Sequence, residues 1–267
     1  MSGHGRSVRE VAVGYHPSYR VLGVRIDALQ IPEVIRQMEA WIVGERSTHF
    51  ITATNVQSVM EARRDVACRE TFAAADLSVP DGMPLVWLGR LWGHRLARRV
   101  YGPDLFWEFC RVSEPKGYSH FFYGGVPGTA ERMVEELKKS FSGLKVAGIE
   151  APPFRPLTPE EDAEVVRRIN TANPDVLWIG LGCPKQERWM HEHRDRLRVP
   201  VMVGVGQAFN IYARQLKQAP PWMREHGLEW LFRLKTEPRR LARRYLVYNT
   251  QFLFQLFLEF ARLRRFQ

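Results

Sequence analysis

Residues 176–190 read Val-Leu-Trp-Ile-Gly-Leu-Gly-Cys-Pro-Lys-Gln-Glu-Arg-Trp-Met. The apolar run at 176–179 predicts a buried strand, the segment at 180–182 a turn, and the polar residues from Lys185 onward the start of a helix. This order places backbone N–H groups and the positive end of a helix dipole at a sheet edge, where anionic ligands bind readily. A capped surface helix explains the same pattern, so the segment alone leaves both interpretations open.

Strand-like and helix-like segments alternate along the rest of the chain. Segments typical of strands lie at residues 19–26, 49–52, 77–79, 120–123, 176–179 and 201–205. Helical spacing of apolar residues occurs at residues 31–42, 56–64, 85–91 and 129–140. Because this alternation implies parallel strands joined by right-handed crossovers, we predict an α/β fold with a Rossmann-like wound, mostly parallel sheet and helices on both faces.

Positive charge is concentrated towards the end of the sequence. The net charge is +10, and residues 233–265 contain nine basic residues against two acidic ones. We therefore divide the chain into an α/β body at residues 1–208 and a basic, aromatic-rich helical appendage at residues 209–267. The excess positive charge indicates an anionic partner. Nucleic acid, anionic lipid and a phosphorylated substrate are the three alternatives.

Cysteine usage and hydropathy indicate the compartment. Cys68, Cys110 and Cys183 form no Cys-x-x-Cys pair, and their odd number argues against a disulfide framework or a zinc site. Residues 1–20 lack the apolar core of a signal peptide, and no apolar run reaches the roughly 18 residues that a spanning helix needs. We therefore expect a cytoplasmic protein.

Polar and glycine residues follow the predicted strands at their carboxyl ends, where parallel sheets assemble active sites. Asn55 follows the strand at 49–52, and Asp81 follows the strand at 77–79. The loops after the remaining strands contribute Gly124, Gly125, Gly128, Lys185, Gln186, Glu187, Gln207 and Asn210. We expect these loops to meet at one edge of the sheet.

Asp81 is the candidate general base, because it lies between the stiff Pro80 and the small Gly82. The alternative is a type I or II turn, in which Asp-Gly is common, and the dipeptide by itself favours the turn. The sequence Gly-Gly-Val-Pro-Gly at residues 124–128 resembles a phosphate-binding loop, although it is neither Gly-x-Gly-x-x-Gly nor a Walker motif.

Arginine and lysine are the candidate partners of phosphate. Together with the loop at 124–128, Arg99 and Lys185 suit a diphosphate, whereas Arg99 alone is equally explained as part of a solvated basic face. No Asp-x-Asp pair occurs, so the usual carboxylate anchor for a nucleotide-bound metal is missing. We expect no metal and no cofactor, with the phosphate charge met by arginine, lysine and backbone N–H groups.

Seven blocks of sequence carry a family resemblance. They read Thr-Asn at 54–55, Ala-Asp-Leu-Ser-Val-Pro-Asp-Gly at 75–82, Arg-Val-Tyr-Gly-Pro-Asp-Leu at 99–105, Gly-Gly-Val-Pro-Gly at 124–128, Gly-Leu-Gly-Cys-Pro-Lys-Gln-Glu at 180–187, Gly-Val-Gly-Gln-Ala-Phe at 204–209 and Gly-Leu-Glu-Trp-Leu-Phe-Arg-Leu at 227–234. In this order the chain resembles the WecG/TagA/CpsF family of bacterial glycosyltransferases over residues 20–255.

The resemblance implies a reaction and a set of site residues. Family members transfer a sugar, often N-acetylmannosamine, from a UDP donor to an undecaprenyl-diphosphate-linked sugar, with inversion and without metal. The resemblance implies that Asp81 is the general base. It places Thr54, Asn55, Arg99 and Gln186 among the residues that line the donor and acceptor pocket. It also implies that an appendage covers the site and meets the diphosphate through Arg233, Arg240 and Arg243.

Two positions depart from the family pattern. Ala53 stands where the family often has threonine, and Asn210 stands where it often has aspartate. Both changes fall where sugar or uridine specificity could be set, so the resemblance leaves the donor sugar open.

The appendage is the candidate membrane contact. It combines basic residues at 239–244 with an apolar set that comprises Phe252, Phe254, Phe257, Phe260 and Phe266. We interpret it as an amphipathic helix in the headgroup region, so that the protein is peripheral on the inner face of the plasma membrane. A core-docked or dimer-forming helix is the alternative. The sequence leaves open whether the active form is a monomer or a homo-oligomer.

Two other classes of protein are alternatives to a transferase. The charge suits a nucleic-acid-binding protein, but no helix-turn-helix, zinc or RNA-binding signature occurs, so we expect no nucleic-acid partner. A dinucleotide-dependent oxidoreductase requires Gly-x-Gly-x-x-Gly after the first strand, and residues 19–26 are not followed by that motif.

Overall fold

The computed structural model describes residues 16–44 and 47–261, the side chains of Arg240 and Arg244 excepted. The strands of this part are β1 (Ser18–Val21), β2 (Val24–Asp27), β3 (His49–Thr54), β4 (Leu77–Pro80), β5 (Ser119–Gly124), β6 (Lys145–Glu150), β7 (Val176–Gly180) and β8 (Val201–Gly204). The helices of the body are α1 (Ile31–Val43), α2 (Val56–Arg64), α3 (Val66–Ala73), α4 (Met83–Leu91), α5 (Gly102–Lys116), α6 (Thr129–Lys138), α7 (Pro159–Ala172) and α8 (Lys185–His193). The chain continues through α9 (Ala208–Tyr212), α10 (Pro221–Glu225), α11 (Glu229–Thr236) and α12 (Pro238–Phe260).

Six strands form one parallel sheet in the order β4-β3-β8-β7-β5-β6. Because every strand of the sheet runs in the same direction, the loops that follow the strands leave from a single edge. The predicted α/β class and parallel sheet are confirmed.

Side chains of β7 alternate between two cores. Val176 and Trp178 pack with side chains of α1, α5, α6 and α9, whereas Leu177 and Ile179 pack with side chains of α7 and α8. All four side chains are fully buried, and burial of such a side chain stabilises a fold by about 1.5–3 kcal/mol. Helices therefore cover both faces of the sheet, as the sequence predicts.

Residues 19–26, which the sequence predicts as one strand of the alternating pattern, instead form the antiparallel hairpin β1–β2 outside the main sheet. Its two-residue turn has positive φ at Leu22 (49°) and Gly23 (90°), the conformation that matches the twist of a hairpin. A hairpin and a single strand show the same alternation of apolar residues, so periodicity could not separate them. Asp27 at the end of β2 accepts a hydrogen bond of 2.7 Å from the backbone N–H of Ser78 in β4.

One face of α12 docks on α2. The Tyr248 hydroxyl donates to Glu61 Oε1 at 2.6 Å, and Arg63 Nε donates to Gln255 Oε1 at 3.2 Å. Phe252 of the same face is buried against the hairpin core. This face of α12 therefore packs on protein, which is one of the alternatives that the sequence left open.

The opposite face of α12 exposes large apolar side chains, namely Leu246, Leu253, Phe254, Phe257 and Phe260. Phe266, the last member of the predicted apolar set, lies outside the described residues. No helix in the described part of the chain is long and apolar enough to cross a bilayer.

Gly124 at the end of β5 and Gly128 in the loop after it allow the backbone packing at the carboxyl edge of the sheet to be tested. A Cβ at Gly124 (φ 131°) would lie 2.7 Å from the carbonyl carbon of Gly180, whereas a Cβ at Gly128 (φ 85°) would meet open space. We expect Gly124→Ala to lower the free energy of unfolding by about 3 kcal/mol, through backbone strain and overpacking, and Gly128→Ala by about 1 kcal/mol, through strain alone. Urea denaturation measures both values, and equal losses would contradict this account of the edge.

Candidate active site

A cavity of about 860 Å³ lies at the carboxyl ends of β3 and β4, between the body and the helices α11 and α12. Its polar lining includes Asn55, Asp81, Arg99, Tyr101, Glu229 and Arg233. Its apolar lining includes Trp87, Leu88, Leu91, Leu246, Leu253 and Leu256. The structure thus brings four of the predicted site residues, Asn55, Asp81, Arg99 and Arg233, to one cavity.

Asp81 is held by backbone contacts to two neighbouring elements. Its N–H donates to the carbonyl of Thr54 at 2.8 Å, which continues the pairing of β3 with β4 by one residue. Its Oδ1 accepts a hydrogen bond of 3.3 Å from the N–H of Gly102, the first residue of α5. The carboxylate therefore lies at a helix N-terminus, where backbone N–H groups stabilise negative charge.

The acidity of Asp81 reflects opposing influences. The pKa of Asp81 is raised to about 6, chiefly by burial and also by the Glu229 carboxylate, while the Arg99 guanidinium, the Gly102 N–H and Asn55 act to lower it. A carboxyl with this pKa is largely ionised at neutral pH and is more basic than an ordinary aspartate. It therefore has the protonation behaviour that a general base needs.

Arg99 links Asp81 to the C-terminal helices. Its guanidinium pairs with Glu229 of α11 and donates through Nη1 to the Asp81 carbonyl at 3.3 Å. Its Cζ lies 4.0 Å from the centre of the Tyr101 ring, whose hydroxyl donates to Glu229 Oε1 at 3.1 Å. The solvated basic face that the sequence offered as an alternative does not describe this side chain, which is 14% exposed.

Further contacts fix α10 and α11 against the body. Arg224 of α10 pairs with Asp104 of α5 at 3.0 Å. Gly227, in the turn before α11, has φ 71° and approaches the body so closely that a Cβ there would lie 2.9 Å from the Trp87 ring. These contacts hold the C-terminal helices over the cavity.

The tail arginines occupy different positions. Arg233 lines the cavity, and its Nε is buried with no hydrogen-bond partner among the described residues. Arg233 thus brings one positive charge of α11 to the cavity lining. Arg243 is exposed on α12 and is not part of the cavity lining. The side chain of Arg240 lies outside the described residues.

A second set of predicted residues lies at the same sheet edge but outside the cavity lining. Gly124 ends β5 with a φ angle of 131°, and Gly125 and Gly128 lie in the loop that follows with φ angles of 77° and 85°. Lys185 is exposed at the start of α8, and Asn210 lies partly exposed in α9. Their role in binding stays a prediction.

Gln186 is buried and joins two loops. Its Oε1 accepts hydrogen bonds from the N–H groups of Gly182 at 3.2 Å and Gly206 at 3.0 Å. Its Nε2 donates to Oε1 of Glu187 at 2.9 Å, and burial raises the pKa of Glu187 to about 7. The side chain of Gln186 thus ties the loop after β7 to the loop after β8.

Thr54 is also buried, and its Oγ1 lies 2.7 Å from Ser78 Oγ between β3 and β4. Binding roles for Gln186 and Thr54 stay predictions. The β7 loop nevertheless reaches the cavity side of the edge, because Gln57, which lines the cavity, donates to the carbonyl of Cys183 at 3.3 Å.

Sequence reasoning did not single out Tyr101, Glu229 or the apolar side chains of α4. Tyr101 and Glu229 lie inside the blocks at 99–105 and 227–234, which were the available signal. The apolar residues of α4 gave no signal, because their helical spacing is equally typical of a helix that packs in a core.

A family model described as "Glycosyl transferase WecG/TagA/CpsF family" matches residues 19–266. The protein is therefore a glycosyl transferase. It belongs to the WecG/TagA/CpsF family, as the sequence blocks predict.

Relatives of the chain carry a more specific name. A protein of Bacillus spizizenii, 28% identical over 214 residues, is named N-acetylglucosaminyldiphosphoundecaprenol N-acetyl-beta-D-mannosaminyltransferase, and the match covers 80% of this chain and 81% of that protein. A Staphylococcus aureus protein of the same name is 26% identical over 224 residues, which are 84% of this chain and 86% of that protein.

The electrostatic account of Asp81 predicts pKa changes of opposite sign. We expect Arg99→Met to raise the pKa of Asp81 above about 6, since a favourable positive charge is lost, and Glu229→Gln to lower it, since an unfavourable negative charge is lost. Carbon-13 NMR titration of the Asp81 carboxyl measures both. Arg98→Met is the control, because Arg98 is 80% exposed and pairs instead with Glu225. Shifts of the same sign in the first two variants would refute the account.

Proposed function

We propose that the protein is an inverting, metal-independent glycosyltransferase that moves N-acetylmannosamine or a related hexose from a UDP donor to an undecaprenyl-diphosphate-linked saccharide in surface polysaccharide synthesis. The relatives named above support this reaction. The observation that carries the proposal is the cavity, in which Asp81, with a pKa of about 6, lies beside Arg99, and which Arg233 of α11 also lines.

In the proposed mechanism Asp81 removes the proton from the attacking hydroxyl of the acceptor sugar. The hydroxyl oxygen forms a bond to C1 of the donor sugar from the face opposite UDP, while the bond between C1 and the diphosphate oxygen breaks. The bonding electrons leave with UDP, and the proton resides on Asp81 until it is released to solvent. Attack from the opposite face inverts the configuration at C1.

The growing charge on the departing diphosphate must be stabilised as the bond to C1 breaks. Arg99 is the cavity residue suited to this role, whereas Arg233 of α11, which also lines the cavity, is suited to the diphosphate of the acceptor. We retain Lys185, the glycines of the β5 loop, Arg240 and Arg243 as further phosphate-binding residues. We propose that Asn55, which lines the cavity, contacts a sugar or uridine group of a substrate.

The C-terminal helices provide the proposed contact with the membrane. The side chains of Phe254, Phe257 and Phe260 are more than half exposed, and basic residues at 239–244 begin the same helix. Exposed aromatic groups beside arginines suit the headgroup region of an anionic bilayer. We therefore propose a peripheral location on the inner face of the plasma membrane.

Transfer by purified protein tests the proposal. We expect release of UDP from one member of a panel of UDP-sugars, in the presence of a chelator and a short-chain polyprenyl-diphosphate sugar. Asp81→Asn keeps the shape of the side chain and removes its basicity, so we expect kcat to fall by about 10²–10⁴-fold.

Asp65→Asn is the matched control, because Asp65 is a partly exposed carboxylate outside the cavity lining. Asp65 caps the N-terminus of α3, and asparagine can fill the same capping role. Full turnover by Asp81→Asn would remove Asp81 from the mechanism. Absence of UDP release with every donor would refute the proposed reaction itself.

A further inference from the structure

The cavity has a charged end and an uncharged side. Its charged carboxylate and guanidinium groups belong to Asp81, Arg99, Glu229 and Arg233, which come from the sheet edge, the segment before α5 and α11. The lining residues of α4 and α12 carry no charge, and most of them are apolar. A ligand that filled the whole cavity would therefore need a polar or charged head and an apolar tail.

The uncharged side is a groove between α4 and α12. Leu88 and Leu256 form its buried floor, whereas Trp87, Leu91, Leu246 and Leu253 are between 47% and 69% exposed along its walls. We call these six residues the α4–α12 groove. Apolar side chains that line one cavity from two helices and remain open to solvent form the kind of contiguous patch that marks a binding site.

We propose that the α4–α12 groove binds the first isoprene units of the polyprenyl chain of the acceptor. This inference rests on the proposed function, which supplies an acceptor with a diphosphate joined directly to an isoprenoid. With the diphosphate of the acceptor at the charged end, near Arg233, the polyprenyl chain continues into the groove without crossing a charged side chain of the lining. The saccharide on the other side of the diphosphate is then directed towards Asp81.

Substitution of two neighbouring residues of α12 can distinguish binding of the polyprenyl chain from contact with a bilayer. Leu253 lines the groove and is 65% exposed, whereas Phe254 is 59% exposed and is not part of the cavity lining. A bilayer that covered the outer face of α12 would contact Phe254, but a single chain in the groove would contact Leu253. Leu91 supplies an independent position on the α4 wall, with 67% exposure.

The experiment measures kcat/KM in solution, without vesicles, for acceptors that differ only in the number of isoprene units. We expect kcat/KM of the unaltered protein to rise with chain length until the groove is filled. In Leu253→Asp and Leu91→Asp we expect the ratio of long-chain to short-chain kcat/KM to fall by about 10–100-fold, the value of one buried leucine. In Phe254→Asp we expect the ratio to be unchanged. All three side chains are more than half exposed, so the substitutions leave the core intact.

Two results would overturn the inference. One is an unaltered protein without chain-length preference; the other is a Phe254→Asp variant whose ratio falls as much as that of Leu253→Asp, which would show that the chain does not bind specifically in the groove. If no acceptor is glycosylated, the proposed function fails, and the groove is still tested by binding of a fluorescent polyprenyl diphosphate. Weaker binding to Leu253→Asp than to Phe254→Asp would then support the groove, and equal binding would refute it.

Discussion

The ion pair between Arg99 and Glu229 joins the C-terminal helices to the edge of the sheet, and one side of the cavity is built on it. Both side chains are largely buried, with exposures of 14% and 13%. A buried pair often stabilises a fold no more than packed apolar residues would, yet loss of one partner leaves a buried charge unpaired at a cost of about 3–5 kcal/mol. We infer that the pair serves chiefly to specify where α11 lies. Arg224 and Asp104 add a second, more exposed attachment nearby.

The position of the appendage and the acidity of Asp81 are coupled through one guanidinium. Arg99 lowers the pKa of Asp81, Glu229 raises it, and the two groups are paired with each other. A movement of α11 that separated Glu229 from Arg99 would therefore widen the cavity and change the charge around Asp81 in the same step. The candidate base is thus tuned by a residue that lies far from it along the chain and close to it only in the folded protein.

The parts of the fold that sequence could predict are those whose residues are buried in a regular pattern. β5, β7 and β8 are nearly continuous apolar runs, which predict strands. β6 (Lys145–Glu150) lies at the margin of the sheet and has no fully buried residue, and its sequence therefore lacks the apolar pattern of a strand. Asp81 and Asn55 could be predicted because position after a parallel strand is a property of local sequence. The contact of Glu229 with Arg99 could not, since 130 residues separate them. The contacts of Gln186 could not be predicted either: its Oε1 accepts hydrogen bonds from N–H groups of two separate loops, and its binding role stays a prediction.

The hydrogen bond between Asp27 and the N–H of Ser78 has a consequence for association between molecules. β4 is an edge strand of the sheet. The unpaired backbone N–H and C=O groups of an edge strand can form hydrogen bonds with a strand of another molecule. The Asp27 carboxylate occupies one of these groups, and the hairpin that carries it packs alongside. At the opposite margin the pairing of β5 with β6 is irregular between His120 and Phe121, and charged side chains begin and end β6. Both margins of the sheet are thereby protected against intermolecular β-pairing, which would lead to aggregation wherever many copies gather on a small area.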